Sequence, residues 1–342
     1  MENSMSRILI ETIVKQSIKN IKDNPERGIR NLIDMALQFS EGRFQKNFFS
    51  AAQSMLQNES SAYYSLVRDT VSSIDTERLY TFGMNLGYNG CTVGARRIRE
   101  NEKKMNCNIP WAIAMQIAPQ SFEKNRQIYH KRILEGETLG VYVWQIFAMG
   151  CPEKVLPLVR DHADSAFFVF CRARDITDAF LDEAAELYHV MPVVQYEESA
   201  AEVCEALRKR GLLYSVWYQY GQKDTEAIIN GDFFSSAQQS VPVFTALLPE
   251  PGCPEAIEDL VYQAITSARN GQLYRTVLWD LQRDNSLVDS IISDDSCSVY
   301  FDDCGNLCSR RRKIDCEHQN LFQDTLPEIL ISGCAKKTEV FA

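Results

Sequence analysis

Histidine is scarce in this sequence and nowhere grouped. Four occur in 342 residues, at positions 130, 162, 189 and 318. No His-Glu-x-x-His and no Ser–His–Asp spacing is present, which sets aside zincin and triad chemistry. No Gly-Lys-Ser/Thr follows a glycine turn, and no predicted strand precedes a G-x-G-x-x-G, so neither a P-loop nor a dinucleotide fingerprint is written here. Long apolar runs are also missing. None approaches the roughly 18 residues of a membrane span. Met1 to Gln16 has no uninterrupted apolar core followed by a small-residue cleavage site, which predicts a cytoplasmic chain whose cysteines stay reduced. Basic charge is in deficit, with 36 Lys and Arg against 46 Asp and Glu, a net charge of −10. Bulk phosphate binding needs the opposite balance, so nucleic acid is not the expected partner.

What is present is an ordinary globular composition, 45% apolar and 24% charged, with eleven cysteines. Residues 1 to 135 read as an all-helical N-terminal region. ILIETIVKQSIKNI, RGIRNLIDMALQFS, FFSAAQSMLQ and SAYYSLVRDTVSSI each carry apolar residues at helical spacing. TFGMNLGYNGCTVGARRIRENEKK is punctuated by Gly83, Gly87, Gly90 and Gly94, and close helix packing is the expected use of these glycines. From Gly140 the texture changes. VYVWQIFA, SAFFVFC, MPVVQYE, LLYSVWYQY, VPVFTALL, YRTVLWDL and CSVYF are nearly continuous β-branched and aromatic runs, the pattern of strands buried on both faces. Helical segments separate them. The expected fold class is α/β, a partial or complete (βα) barrel of about six to seven parallel units over residues 136–310, followed by a C-terminal tail over 311–342.

In such a barrel the site lies at the C-terminal ends of the strands. The candidate ligand-binding face there is Gln145, Arg172, Arg174, Glu197, Tyr220, Asp280 and Arg283. The three arginines suit a carboxylate or phosphate held bidentately. Glu197 and Asp280 suit acid–base work or cation binding. Gly150-Cys151-Pro152 fits a nucleophile at a strand-to-helix turn, but no histidine is assigned as its base. The tail gathers Cys297, Cys304, Cys308 and Cys316 in the spacing C-x6-C-x3-C-x7-C, followed by x-His318. These four are candidate ligands for an iron–sulfur cluster or zinc, although no C-x-x-C is among them. Ser309 to Lys313 form a short basic run, expected to be a solvated loop.

The helical N-terminal region, the partial barrel and the tail SVYFDDCGNLC together resemble radical S-adenosylmethionine proteins. In the tail, Val299, Tyr300, Asp302, Asp303, Gly305, Asn306 and Cys308 stand where peptide- and protein-modifying members carry a strand and an aspartate–glycine turn before a cysteine. The resemblance implies a [4Fe–4S] cluster on C-x3-C-x2-C after the first strand, with S-adenosylmethionine on its open iron. Here the loop after VYVWQIFA holds only Cys151, so the implied member is degenerate and its radical chemistry does not carry over. The expected function is that of a cytosolic, bacterial-type accessory or binding protein for a small molecule or peptide, with the N-terminal helices as a surface for a protein partner. Two alternatives stay open: a lyase- or aldolase-like barrel enzyme using Glu197, Asp280 and Arg172, and a redox protein with one cluster in the tail.

Overall fold

The computed structural model describes residues 2–38, 43–293, 295, 297–309 and 313–336. The chain divides into two compact units, Met1–Met84 with Val193–Asp280 and Asn85–Pro192 with Leu281–Ala342. The first unit opens with five helices, α1 (Glu2–Asp23), α2 (Pro25–Gln38), α3 (Arg43–Met55), α4 (Ala62–Ser73) and α5 (Thr76–Gly83). Their starts follow sequence signals. Pro25 begins α2 directly after the Asn24 break, and the side chains of Ser61 and Asp75 cap α4 and α5 by accepting from Tyr63 N and Arg78 N.

The glycine-punctuated stretch is a π-helix, Met84–Gly94, running into α6 (Ala95–Met105). Two of its glycines serve close packing as expected: a Cβ on Gly90 would lie 3.1 Å from the Val143 side chain, and Gly94 touches Gly140 backbone to backbone. Gly83 and Gly87 have open space instead. The first strand of the sheet, β1 (Ala112–Ile117), then lies inside the stretch read as wholly helical. AIAMQI has only two β-branched residues and follows a long helical segment, so neither composition nor context announced it. After it come α7 (Pro119–Leu139), β2 (Val143–Ala148), α8 (Leu156–Arg160), β3 (Ala166–Cys171), α9 (Asp178–Ala185) and β4 (Val190–Gln195). Thr177 caps α9 by accepting from Phe180 N.

The first unit resumes within β4 and continues with α10 (Ala200–Lys209), β5 (Ser215–Tyr220), α11 (Thr225–Ile229), α12 (Asp232–Ala237), β6 (Phe244–Pro249), α13 (Glu255–Asn270) and β7 (Val277–Asp280). Gly211, at φ +66°, ends the turn after α10. The chain closes with α14 (Arg283–Ile292), β8 (Val299–Phe301), β9 (Leu307–Ser309) and α15 (Leu326–Gly333). Strand order is β7-β6-β5-β4-β3-β2-β1-β8-β9. Every pair whose register is described is parallel except β8–β9. This is an α/β fold of the partial (βα)-barrel class, and all seven strand runs read from the sequence are strands in it. Arg310 to Arg312 of the basic run lie outside the described residues.

Parallel register puts like faces side by side. In the second unit Ile113, Trp144 and Phe167 form one buried row across β1, β2 and β3. Trp144 lies so close over Gly136 of α7 that a Cβ there would meet its ring at 2.6 Å. The opposite row is Ala114, Gln145 and Phe168. In the first unit Tyr220, Leu247 and Leu278 pack with Ile228, Phe234, Val261 and Ile265 as one apolar core. A partly buried ion pair also holds α7: Arg132 Nη1 donates to Glu135 at 2.9 Å and its Nε donates to Leu321 O at 2.9 Å, while Glu135 accepts from Leu326 N at 2.8 Å. Arg132→Met leaves the half-buried Glu135 carboxylate with Leu326 N but without its cation. Urea unfolding of that variant should show a loss of about 1 to 3 kcal/mol.

Candidate binding site

At the C-terminal end of β4 the chain keeps its ladder for one more residue, Tyr196 N donating to Trp217 O at 2.8 Å, and then turns through Glu197 and Glu198. The turn closes with Ala200 N donating to Glu197 O at 2.9 Å, and α10 follows. Beside it, β5 presents Tyr218, and α12 presents Phe233. With Ala201 these side chains line an open cleft of about 400 Å³. The Phe233 ring stands edge-on to Tyr196 at 5.5 Å and tilted against Tyr218 at 4.8 Å. Its neighbour Phe234 is buried in the core below.

The two tyrosines are held from behind. Tyr196 Oη and Ser236 Oγ share a hydrogen bond of 2.7 Å. Tyr218 Oη donates to Asp224 Oδ1 at 2.9 Å, and Asp224 Oδ2 accepts from Gly221 N at 2.9 Å. Burial, then the bond to Asp224 and the negative charge of Asp224 and Glu250, push the Tyr218 phenol up to about 12, so it stays a neutral donor. Glu197 is half-buried and Glu198 exposed. Among the described residues that line the cleft, none is basic. The arrangement offers aromatic rings and two carboxylates around an open cleft.

The predicted face residues are distributed unevenly. Glu197 is in the cleft. Tyr220, two residues beyond Tyr218, points into the apolar core of the first unit and is fully buried. Asp280 is buried in a cross-strand row with Leu247 and Tyr218. In the second unit Gln145 is buried and accepts from Asn285 Nδ2 at 3.1 Å. Arg172 is half-buried just past β3, Arg174 is exposed in the next turn, and Arg283 begins α14. Phe233 was missed because it sits in a short helix rather than at a strand end. The tandem Phe233-Phe234 is the one signal for it: Phe234 is buried in the core, while Phe233 packs against that core and stays partly exposed.

A cluster of the expected kind does not fit the segment after the first strand. Between β1 and α7 there is a single residue, Ala118, and Pro119 already starts the helix. No cysteine occurs between Cys107 and Cys151. After β2 only half-buried Cys151 is available, and Cys171 is buried at the end of β3. In the tail, Asp302 builds the aspartate–glycine turn by accepting from Cys304 N and Asn306 N at 3.0 and 2.7 Å, with Gly305 at φ +78°. That turn joins β8 to β9 and sets Cys308 opposite Tyr300. Cys297 is joined to Cys334 as a disulfide, a departure from the expectation of reduced thiols at these two positions. Cys304 is exposed, Cys308 buried and Cys316 half-buried. The Cys304 thiol is pushed up by Asp303 and Asp302, and that of Cys308 by burial, so neither is a poised thiolate. Among the described residues the one group of three potential metal ligands within 4.8 Å is Asp302, Asp303 and Cys304. Among them, too, no helix is long and apolar enough to cross a membrane.

No family model matches the chain, and no curated protein matches it. Solved structures do. A crystal structure of Streptococcus suis SuiB bound to S-adenosylmethionine aligns at 10% identity and a TM-score of 0.47 over 68% of this chain. SuiB bound to the precursor peptide SuiA aligns at 9% identity and 0.46 over 68% of this chain and 67% of that one. A further structure of SuiB aligns at 9% and 0.44 over 87% of this chain and 77% of that one. The chain spans 66% of the first of these structures, just under two thirds of its length.

Proposed function

We propose that this chain is a radical-S-adenosylmethionine-like partial barrel without a cluster loop, acting as a binding or accessory protein. Its ligand is a small molecule or a peptide, taken at the C-terminal ends of β4 and β5. The observation that carries the reading is the cleft formed by Tyr196, Glu197, Tyr218 and Phe233, where three aromatic rings are fixed by hydrogen bonds and packing before any ligand arrives. A pre-formed concave site with a few placed polar groups is the ordinary form of a small-ligand site. The single-residue link after β1 supports the absence of cluster chemistry.

A second reading keeps the tail as an iron–sulfur site. It is favoured by one observation: Cys304, Cys308 and Cys316 keep free thiols in the tail, and Cys297 joins them as a fourth ligand on release from its disulfide with Cys334. Anaerobic purification of the full chain, with iron and sulfide analysis before and after reconstitution, separates the two. The expected product is colourless, holds no stoichiometric iron and does not cleave S-adenosylmethionine under reduction. A brown protein with about four irons per chain overturns the first reading in favour of the second.

A further inference from the structure

We infer that the cleft at the ends of β4 and β5 receives a cationic organic group, an ammonium or guanidinium carried by a peptide side chain or a free amine. The inference rests on the reading of this cleft as the ligand site and names what that site selects. Three features carry it. The first is the wall. The Phe233 ring centroid lies 5.5 Å from that of Tyr196 and 4.8 Å from that of Tyr218, with the tyrosine planes turned from it by 85° and 37°. The face of an aromatic ring carries the negative side of its quadrupole and attracts a cation resting on it.

The second is the charge. Glu197 and Glu198 form the rim, and Asp224 and Glu250 stand behind Tyr218, Asp224 as its hydrogen-bond acceptor and Glu250 against Gly221. Of these carboxylates Glu197 and Glu198 line the cleft, and its described lining holds no basic residue. An anionic ligand is repelled there, and a cation gains both the carboxylates and the aromatic rings.

The third is rigidity. The Tyr196 hydroxyl is tied to Ser236 on α12, the Tyr218 hydroxyl to Asp224, and Phe233 is anchored by the adjacent core residue Phe234 at 5.8 Å. The rings therefore need little ordering when a ligand enters, which is where an aromatic cage gains affinity over a loose surface.

Titration calorimetry on the full chain tests this with defined probes: Nα-acetyl-lysine amide, Nα-acetyl-arginine amide, n-butylammonium, the neutral isostere Nα-acetyl-norleucine amide and the anion Nα-acetyl-glutamate. The expected result is binding of the cations, about tenfold or more tighter than of norleucine amide, weakened by added salt, with no binding of the glutamate probe. Tighter binding of the amino-acid amides than of butylammonium assigns the site to peptides, and the reverse assigns it to free amines. Phe233→Ala and the exposed-rim variant Glu198→Gln should each weaken the cations several-fold, and the circular dichroism of both variants checks the fold. Equal binding of lysine and norleucine amides, both lost in Phe233→Ala, overturns the cationic inference and leaves the cleft as a ligand site. Binding of no probe by the folded protein overturns both.

Discussion

Gly140→Val should be among the most damaging single substitutions in this chain, with a loss of roughly 4 kcal/mol or more in urea unfolding. Two costs add. Gly140 ends α7 at φ +108°, a conformation that costs a residue with a side chain about 1 to 3 kcal/mol, with a β-branched one at the upper end. It also has no space. A Cβ would stand 2.6 Å from Gly94 O, 2.8 Å from Arg97 Cβ and 2.9 Å from Ile98 N. Backbone atoms of a helix cannot yield as a side chain does, and forced overpacking costs about 1 to 3 kcal/mol more. Gly140→Ala should retain the backbone penalty and part of the clash. Gly83→Ala is the control. Gly83 sits in α5 at a helical φ with nothing within 4 Å of the added carbon, so it should be neutral or slightly stabilising. If Gly140→Val unfolds at the same urea concentration as Gly83→Ala, the close approach of α6 to the end of α7 is wrong.

The same contact shows why the sequence yields its architecture more readily than its site. Continuous runs such as VYVWQIFA and AFFVFC announce strands because every residue is buried on one face or the other, and Trp144 and Phe167 cannot be anywhere but inside. β1 escaped because AIAMQI lines a face that is only partly covered, its burial alternating along the strand, and alanine and methionine serve helices as well. Once β1 is in place, the segment after the first strand is Ala118 alone, and Cys151 follows the second strand instead. Strand-end logic named Glu197, which lines the cleft after β4, because a residue that follows a strand is positioned by it. The same logic proposed Tyr220, which follows Tyr218 by two and so shares its side of the sheet, but one step deeper in the core with Ile228 and Phe234. Depth along a strand is set by the helices that cover it, and pattern alone does not encode where that cover stops.

A second large effect is expected from Asp289→Asn, and its sign depends on pH. Asp289 lies on α14, 3% exposed, and its Oδ1 accepts from Trp111 N at 2.6 Å, which pins the chain one residue before β1. Burial, with Glu102 nearby, pushes its carboxyl from the ordinary 3.8 up to about 7, the Trp111 N–H opposing the rise. The folded protein therefore binds a proton at this position over a pH range in which the unfolded chain has released it. Stability contributed here is greatest below about pH 4, falls as pH rises toward 7, and stays low above that. At 1.36 kcal/mol per unit the interval between pH 5 and pH 7 alone is worth about 2 to 3 kcal/mol. Asparagine keeps an oxygen for the Trp111 N–H and carries no charge at any pH, though its buried amide hydrogens cost about 1 to 3 kcal/mol if they find no acceptor. The absolute stability of the variant thus depends on that amide, but the pH dependence does not. Urea unfolding at pH 5 and pH 8 should show the variant gaining about 2 to 3 kcal/mol on the parent across the interval. Parallel pH profiles for the two proteins would mean that Asp289 is charged in the folded state.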